Sequence, residues 1–308
     1  MKCAPRKLGA AVTVVVTLVV AGTAIAGSFD PRPGDKTIGN AGGIKYVKDS
    51  AAFDPGNSNY ASDAIWCGHE PRATGGGARL RGASASKFIE SSLPRDVYLA
   101  YGDPDDVHDD SWDASGYGPA GKRLTTFGIC ARGANLRYVF LDVPDSPTGN
   151  RTAAVGCGGG GYHAVGGGGL IAPSQSWINS SHPFDGGDTD KRPDDGWTLR
   201  VFDPVGGIGG FVMEAICMHG ADLAYEKKRA TGLDAGEVAS PRAVCGGGRH
   251  VLGGGLRISG PQDEARAASS FPFDGKDRHK VPDDGWKSTG YNLSGGFKAL
   301  TTFAICLG

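Results

Sequence analysis

The chain has 308 residues, with 32 Lys+Arg against 33 Asp+Glu, 52 glycines, 18 prolines and seven cysteines. A near-neutral balance without Lys/Arg blocks argues against nucleic acid as a partner, because that affinity rests on neutralising phosphates. Glycine and proline at this level favour turns and short strands over helices.

Residues 1–26 open with Lys2, Arg6 and Lys7, continue through the apolar LGAAVTVVVTLVVAG and end on small residues at Ala24 and Ala26. This is the layout of a secretory signal peptide cut after Ala26. The apolar run is shorter than the roughly 20 residues a spanning helix needs, and no cysteine follows it for a lipid. No later stretch is apolar enough to cross a bilayer, so no integral membrane segment is expected after cleavage. Removing 1–26 leaves 29 Lys+Arg against 33 Asp+Glu, a net charge of −4, and six cysteines. An even number in an exported protein reads as paired disulfides. Residues 27–43 are expected as a flexible N-terminal segment.

From there one unit is written three times. Cys67 to Cys130 is 63 positions, Cys157 to Cys217 is 60 and Cys245 to Cys306 is 61. After each first cysteine comes a glycine run: CGHEPRATGGG, CGGGGYHAVGGGG, CGGGRHVLGGG. Then follow ESSLP, NSSHPFDG or ASSFPFDG, next DDSW, PDDGW or PDDGW, and finally LTTFGIC, VMEAIC or LTTFAIC. Tyr46, Tyr138 and Tyr225 stand about 20 positions before the first cysteines. A fixed period of this kind identifies a repeat architecture. The units span 44–132, 133–219 and 220–308.

Within a unit, GWTLRVF and LTTFAIC alternate as strands with one buried face do. PDDGW has turn chemistry: Pro presets φ, Asp accepts nearby N–H groups and Gly tolerates positive φ. Trp112, Trp197 and Trp286 then begin the next strand, as core anchors in one reading and as ligand-binding candidates in the other. The triple glycines mark a bulge or a close backbone crossing. Pairing first with second cysteine preserves the repeat, giving Cys67–Cys130, Cys157–Cys217 and Cys245–Cys306. Each closes a loop that constrains the unfolded chain by on the order of 4 kcal/mol. The fold class is all-β. The three units form one pseudo-threefold, β-prism-like body or, alternatively, tandem small sandwiches or rolls. The short connectors ARGANLR and MHGADLA favour the single body. Immunoglobulin-like beads are disfavoured, since the tryptophan expected soon after the first cysteine is missing.

The pattern C…GGG…SSxPFDG…PDDGW…AIC resembles a repeat of secreted proteins from high-GC Gram-positive bacteria, over about residues 44–308. The resemblance implies export and the repeat and assigns no activity. Unit one departs most, with SSLPRD and DDSW. At fold level the chain is also similar to pseudo-threefold secreted β proteins such as prism-type lectins and the egg vitelline-layer protein. That likeness implies carbohydrate binding.

The acidic loops are the candidate sites. Unit two carries Asp185, Asp188, Asp190, Asp194 and Asp195; unit three carries Asp274, Asp277, Asp283 and Asp284; unit one carries Asp103, Asp105, Asp106, Asp109 and Asp110. Calcium takes six to eight hard oxygens and suits such loops, although the spacing is not that of an EF-hand. The plain alternative is that these aspartates cap turns. If calcium binds, its ligands are Asp185, Asp194 and Asp195, and equivalently Asp274, Asp283 and Asp284. No Gly-Lys-Ser/Thr follows the glycine runs, so they are no phosphate loop. The histidines form no metal set; His163 and His250 share the place of Arg72. Cysteines about 60 apart exclude zinc chemistry of the C-x-x-C kind, and no G-x-S-x-G is present. The sequons at Asn150, Asn179 and Asn292 carry no weight in a bacterial host. The expected function is a secreted, non-catalytic module that binds a saccharide or another envelope component through the acidic loops. A passive extracellular structural protein and a polysaccharide hydrolase with paired carboxylates are the alternatives. Acids that follow the repeat favour binding or structure over catalysis.

Overall fold

The computed structural model describes residues 36–54, 56, 59–68, 71–96, 107–145, 149–171, 175–204, 210–275, 280–294, 296 and 298–308. The signal segment 1–26, most of 27–43, and the acids Asp103, Asp105, Asp106 and Asp277 lie outside these residues. Among the described residues there is no α-helix; apart from a 3-10 turn at Gln262–Glu264, the regular structure is strand.

A leading strand, β1 (Lys36–Ala41), precedes three sets of strands. Unit one forms β2 (Ile44–Ala52), β3 (Tyr60–Trp66), β4 (Arg72–Leu80), β5 (Phe88–Arg95), β6 (Ser111–Tyr117) and β7 (Arg123–Ala131). Unit two forms β8 (Leu136–Val143), β9 (Asn150–Gly156), β10 (Tyr162–Ile171), β11 (Trp177–Phe184), β12 (Gly196–Phe202) and β13 (Phe211–His219). Unit three begins with β14 (Leu223–Leu233). Its second strand is split into β15 (Val238–Ala239) and β16 (Arg242–Val244), with Pro241, which has no N–H to donate, between them. Then come β17 (His250–Ile258), β18 (Ala265–Phe273), β19 (Gly285–Asn292) and β20 (Lys298–Leu307).

The strands make three antiparallel sheets. Their orders are β1-β2-β7-β4-β18-β19-β15, with β16 also on β19; β3-β6-β5-β10-β13-β8; and β14-β20-β17-β11-β12-β9. In every sheet the first, sixth and third strands of one unit meet the fourth, fifth and second strands of another. Unit one is completed by unit three, unit two by unit one, and unit three by unit two. The cycle closes, so the units are repeats of sequence and not separate domains. Tandem beads are excluded, because no unit owns a whole sheet. The body is a pseudo-threefold β prism.

The repeated motifs build this closure. The first serine of each SS pair crosses the seam between units: Ser269, Ser91 and Ser180 Oγ accept from the backbone N–H of Leu80, Ile171 and Ile258 at 3.0, 3.2 and 3.0 Å. The second serine holds a tryptophan: Trp112, Trp197 and Trp286 Nε1 donate to Ser92, Ser181 and Ser270 Oγ at 3.0, 2.8 and 2.8 Å. The triple glycines are both things expected of them. A ladder register shift falls beside each first glycine, between Ala73 and Gly75, Ala164 and Gly166, and Val251 and Gly253. The chains also cross there. A Cβ on Gly75 would lie 2.4 Å from Leu252 O, on Gly166 2.3 Å from Thr74 O, and on Gly253 2.1 Å from Val165 O. Each contact leads to the next unit around the axis. No side chain fits there.

The end where the third strands start is stapled. Cys67–Cys130, Cys157–Cys217 and Cys245–Cys306 are bonded within their units, with Cα separations of 5.6, 5.7 and 5.7 Å. The tyrosines tie each unit to another. Tyr46, Tyr138 and Tyr225 hydroxyls donate to Val251, Ala73 and Ala164 carbonyls at 2.8, 2.6 and 2.8 Å, and burial raises all three phenol pKa values.

Candidate functional site

The DD pair of each unit is consumed by its own turn. The first aspartate is buried and paired: Asp109 with Arg72 Nε at 3.0 Å, Asp194 with His163 Nδ1 at 2.8 Å, Asp283 with His250 Nδ1 at 2.7 Å. The position shared by Arg72, His163 and His250 is therefore the anchor of the turn. The backbone carbonyls of Asp109, Asp194 and Asp283 accept from Ala73, Ala164 and Val251 N–H, and those of Asp110, Asp195 and Asp284 from Cys67, Cys157 and Cys245 N–H. The turn thus clamps the disulfide end of the unit. The side chains of Asp195 and Asp284 accept the N–H of Gly186 and Gly275, the glycines of PFDG.

The calcium candidates separate on this geometry. In unit two, carboxylate oxygens of Asp185, Asp188 and Asp195 lie within 4.8 Å of one another, as do those of Asp188, Asp190 and Asp194. Asp185, Asp188 and Asp190 also cap the loop, accepting from Gly187, Asp190 and Arg192 N–H at 2.9, 2.9 and 2.7 Å. Asp185 and Asp194 therefore fall in different sets. In unit three, Asp274 is exposed at the end of β18. Among the described residues Asp274, Asp283 and Asp284 form no such set.

The tryptophans are core anchors and not ligand platforms. Trp112, Trp197 and Trp286 are 1%, 0% and 0% exposed. Each lies over the second glycine of its unit, where a Cβ would come within 2.3 to 2.6 Å of the indole Cγ. That contact and the bond to serine leave the ring no face for a ligand. Asn179 and Asn292 of the sequons are buried too, their amides bonded to backbone carbonyls.

At the opposite end, formed by the turns that lead into β5, β11 and β18 and called the turn end below, the repeat breaks. The residues three before each SS pair are Phe88, Trp177 and Arg266. They face Tyr117, Phe202 and Tyr291 across equivalent ladders. The Arg266 guanidinium sits 3.9 Å from the Trp177 ring centre and 4.8 Å from that of Phe88. Rings continue outward: Phe88 stacks on Tyr117 at 4.9 Å, Tyr117 meets Tyr60 at 5.3 Å, and Trp177 meets Phe202 at 4.5 Å. Beside them opens a cavity of about 420 Å³, lined by Phe88, Tyr117, Trp177, Arg266, Asn59 and Gln175 among others.

All three units contribute to this cavity. Asn59 and Gln175 have φ of 62° and 63°, a region costly for residues with a Cβ and concentrated at functional sites. Nothing in the repeat pointed here. The available signal was disagreement between aligned units, Phe against Trp against Arg.

A second break lies where Phe127 and Phe303 of two units correspond to Glu214. Phe127 stacks on Phe271 at 5.3 Å and Phe303 on His182 at 5.4 Å, whereas Glu214 bonds His108 Nδ1 at 3.1 Å. Burial pushes the Glu214 carboxyl up, and the bond to it raises His108. Asp113, also raised by burial, pairs with Arg95 at 2.7 Å.

What these elements define is a pseudo-threefold, disulfide-stapled β prism. Among the described residues, no helix is long and apolar enough to cross a membrane. No protein-family model matches the sequence, and no curated protein matches it.

Proposed function

We propose that the chain is an exported, non-catalytic binding protein that holds a saccharide in the cavity at the turn end of the prism. The observation that carries this reading is the convergence of turns from three units where the repeat breaks. A sugar ring offers an apolar C–H face and an edge of hydroxyls, so an aromatic wall beside amides suits it. Tyr117 supplies the wall, and Asn59 and Gln175 supply the amides. At about 420 Å³ the cavity falls in the range of small-molecule sites. The repeated acidic loops, by contrast, spend their carboxylates within their own turns, on backbone N–H groups and on the Arg72, His163 and His250 side chains. Six paired cysteines and the leader-like residues 1–26 support export.

The test is calorimetry of the chain lacking residues 1–26 against a panel of oligosaccharides, with sedimentation on insoluble glycans. Tyr117→Ala should weaken binding about tenfold, ~1.4 kcal/mol, and Asp185→Asn should leave it unchanged. The opposite pattern returns the activity to the acidic loops, and released product makes the protein a hydrolase. A panel on which nothing binds leaves a passive structural component.

A second reading adds calcium to the loop at 185–195, motivated by its two sets of clustered carboxylates. A ligand that binds only the folded state raises its stability. The melting temperature should then rise in millimolar calcium over chelator, and Asp188→Asn, which serves both sets, should abolish the rise. Coincident melts reject calcium.

A further inference from the structure

The cation at the turn end is out of keeping with its surroundings. Arg266 takes a position that the other two units fill with aromatic rings, and a third ring would complete an apolar plug there. Instead a guanidinium lies half-buried over Trp177 and Phe88. It donates from Nη1 to the Ala85 carbonyl. Its Nε is buried without a hydrogen-bond partner, and no carboxylate pairs with it among the described residues. Burial alone accounts for its lowered pKa. It is also the one charged residue lining the cavity among the described residues. Burying a charge without a counter-ion is costly, and cation–π contact returns only part of that cost. An orphaned donor of this kind calls for an explanation, and a planar fork of donors is matched by a carboxylate or a sulfate.

We infer that this cavity selects an acidic saccharide, a sugar bearing a carboxylate or sulfate, and that Arg266 is the residue that determines the selection. The inference rests on the saccharide reading and adds the charge of the ligand. The ring would lie against Tyr117 while the anionic substituent approaches the Arg266 guanidinium and supplies its missing counter-ion.

The experiment is calorimetric titration of the chain lacking residues 1–26 with three ligands of the same length and linkage: a uronic-acid oligosaccharide, its carboxyl-reduced neutral form and a sulfated form. Hydrogen bonds to charged groups predict an acid-over-neutral preference of about ten- to hundredfold, which weakens as salt is added. Arg266→Met keeps the stem and should bring the preference to about one, while Arg266→Lys should keep part of it. Stronger binding of the uronate than of the sulfate identifies a carboxylate ligand, and the reverse a sulfate. Equal binding of acidic and neutral forms by the wild type overturns the inference and leaves the saccharide reading intact. A preference undiminished in Arg266→Met also overturns it. Binding of none of the three, with none elsewhere in the panel, rejects the saccharide reading itself. If Arg266→Met fails to fold, the wild-type preference, its salt dependence and the Lys variant still decide the matter.

Discussion

Gly254→Ala is the sharpest perturbation of the axis. A Cβ there would lie 2.4 Å from the Phe303 carbonyl oxygen and 2.5 Å from Cγ and Cδ2 of Trp286. Carbon atoms pack at about 3.5 to 4.0 Å, so the added methyl overlaps the indole by roughly 1 Å. Trp286 has nowhere to retreat. It is fully buried, and its Nε1 is bonded to Ser270 Oγ at 2.8 Å. Overpacking a well-filled core costs about 1–3 kcal/mol and sometimes more, and a contact with backbone on one side belongs at the upper end. A cost of about 3 kcal/mol corresponds to an apparent melting temperature lower by roughly 5 °C in a chain of this size. Differential scanning calorimetry with the disulfides intact measures it. Gly246→Ala is the control, since a Cβ there meets nothing within 4 Å and its φ is ordinary; it should stay within about 0.5 kcal/mol of wild type. Trimming the indole with Trp286→Phe should recover part of the loss in the double variant, as expected for residues in contact. A Gly254→Ala protein that melts with the wild type, or strict additivity with Trp286→Phe, would refute the close crossing.

Burial depresses the His182 pKa from 6.5 to about 4. The folded state then binds fewer protons than the unfolded one, so its stability is full above pH 6.5 and falls as pH drops toward 4, by on the order of 3 kcal/mol. His182→Phe, which copies Phe271 of unit three, should remove this share of the acid sensitivity in urea titrations at pH 4 to 7; an unchanged profile contradicts it. Tyr225→Phe removes the hydroxyl bonded to the Ala164 carbonyl and should cost about 1 kcal/mol. Because that bond joins two units, the protein should still melt in one transition. Separate transitions would show that the units are independent.

The cysteine, tyrosine and tryptophan spacings were enough to find three units, pair the disulfides and assign strands, because a repeated contact leaves a repeated word. The alignment of Arg72 with His163 and His250 was likewise visible, although its reason, a buried aspartate in each PDDGW-type turn, was not. The acidic loops drew attention for the same cause: they are repeated and charged. Their carboxylates accept N–H groups a few residues away, and composition does not distinguish a turn cap from a metal ligand. Phe88, Trp177 and Arg266 escaped notice because each belongs to a different unit and they share no motif.

By itself the sequence determined the local terms: where strands alternate, where turns stop them, which cysteines and tryptophans recur and that the contacts must repeat threefold. Only the tertiary structure decided which unit completes which sheet. Alternation specifies the face a strand buries and is silent about its neighbour, and the choice between pairing within a unit and exchange around an axis rests on contacts 78 to 189 residues apart, such as Ser269 with Leu80. The same long-range closure gathers turns from three units around one cavity, which is why that cavity has no signature in any single stretch of the chain.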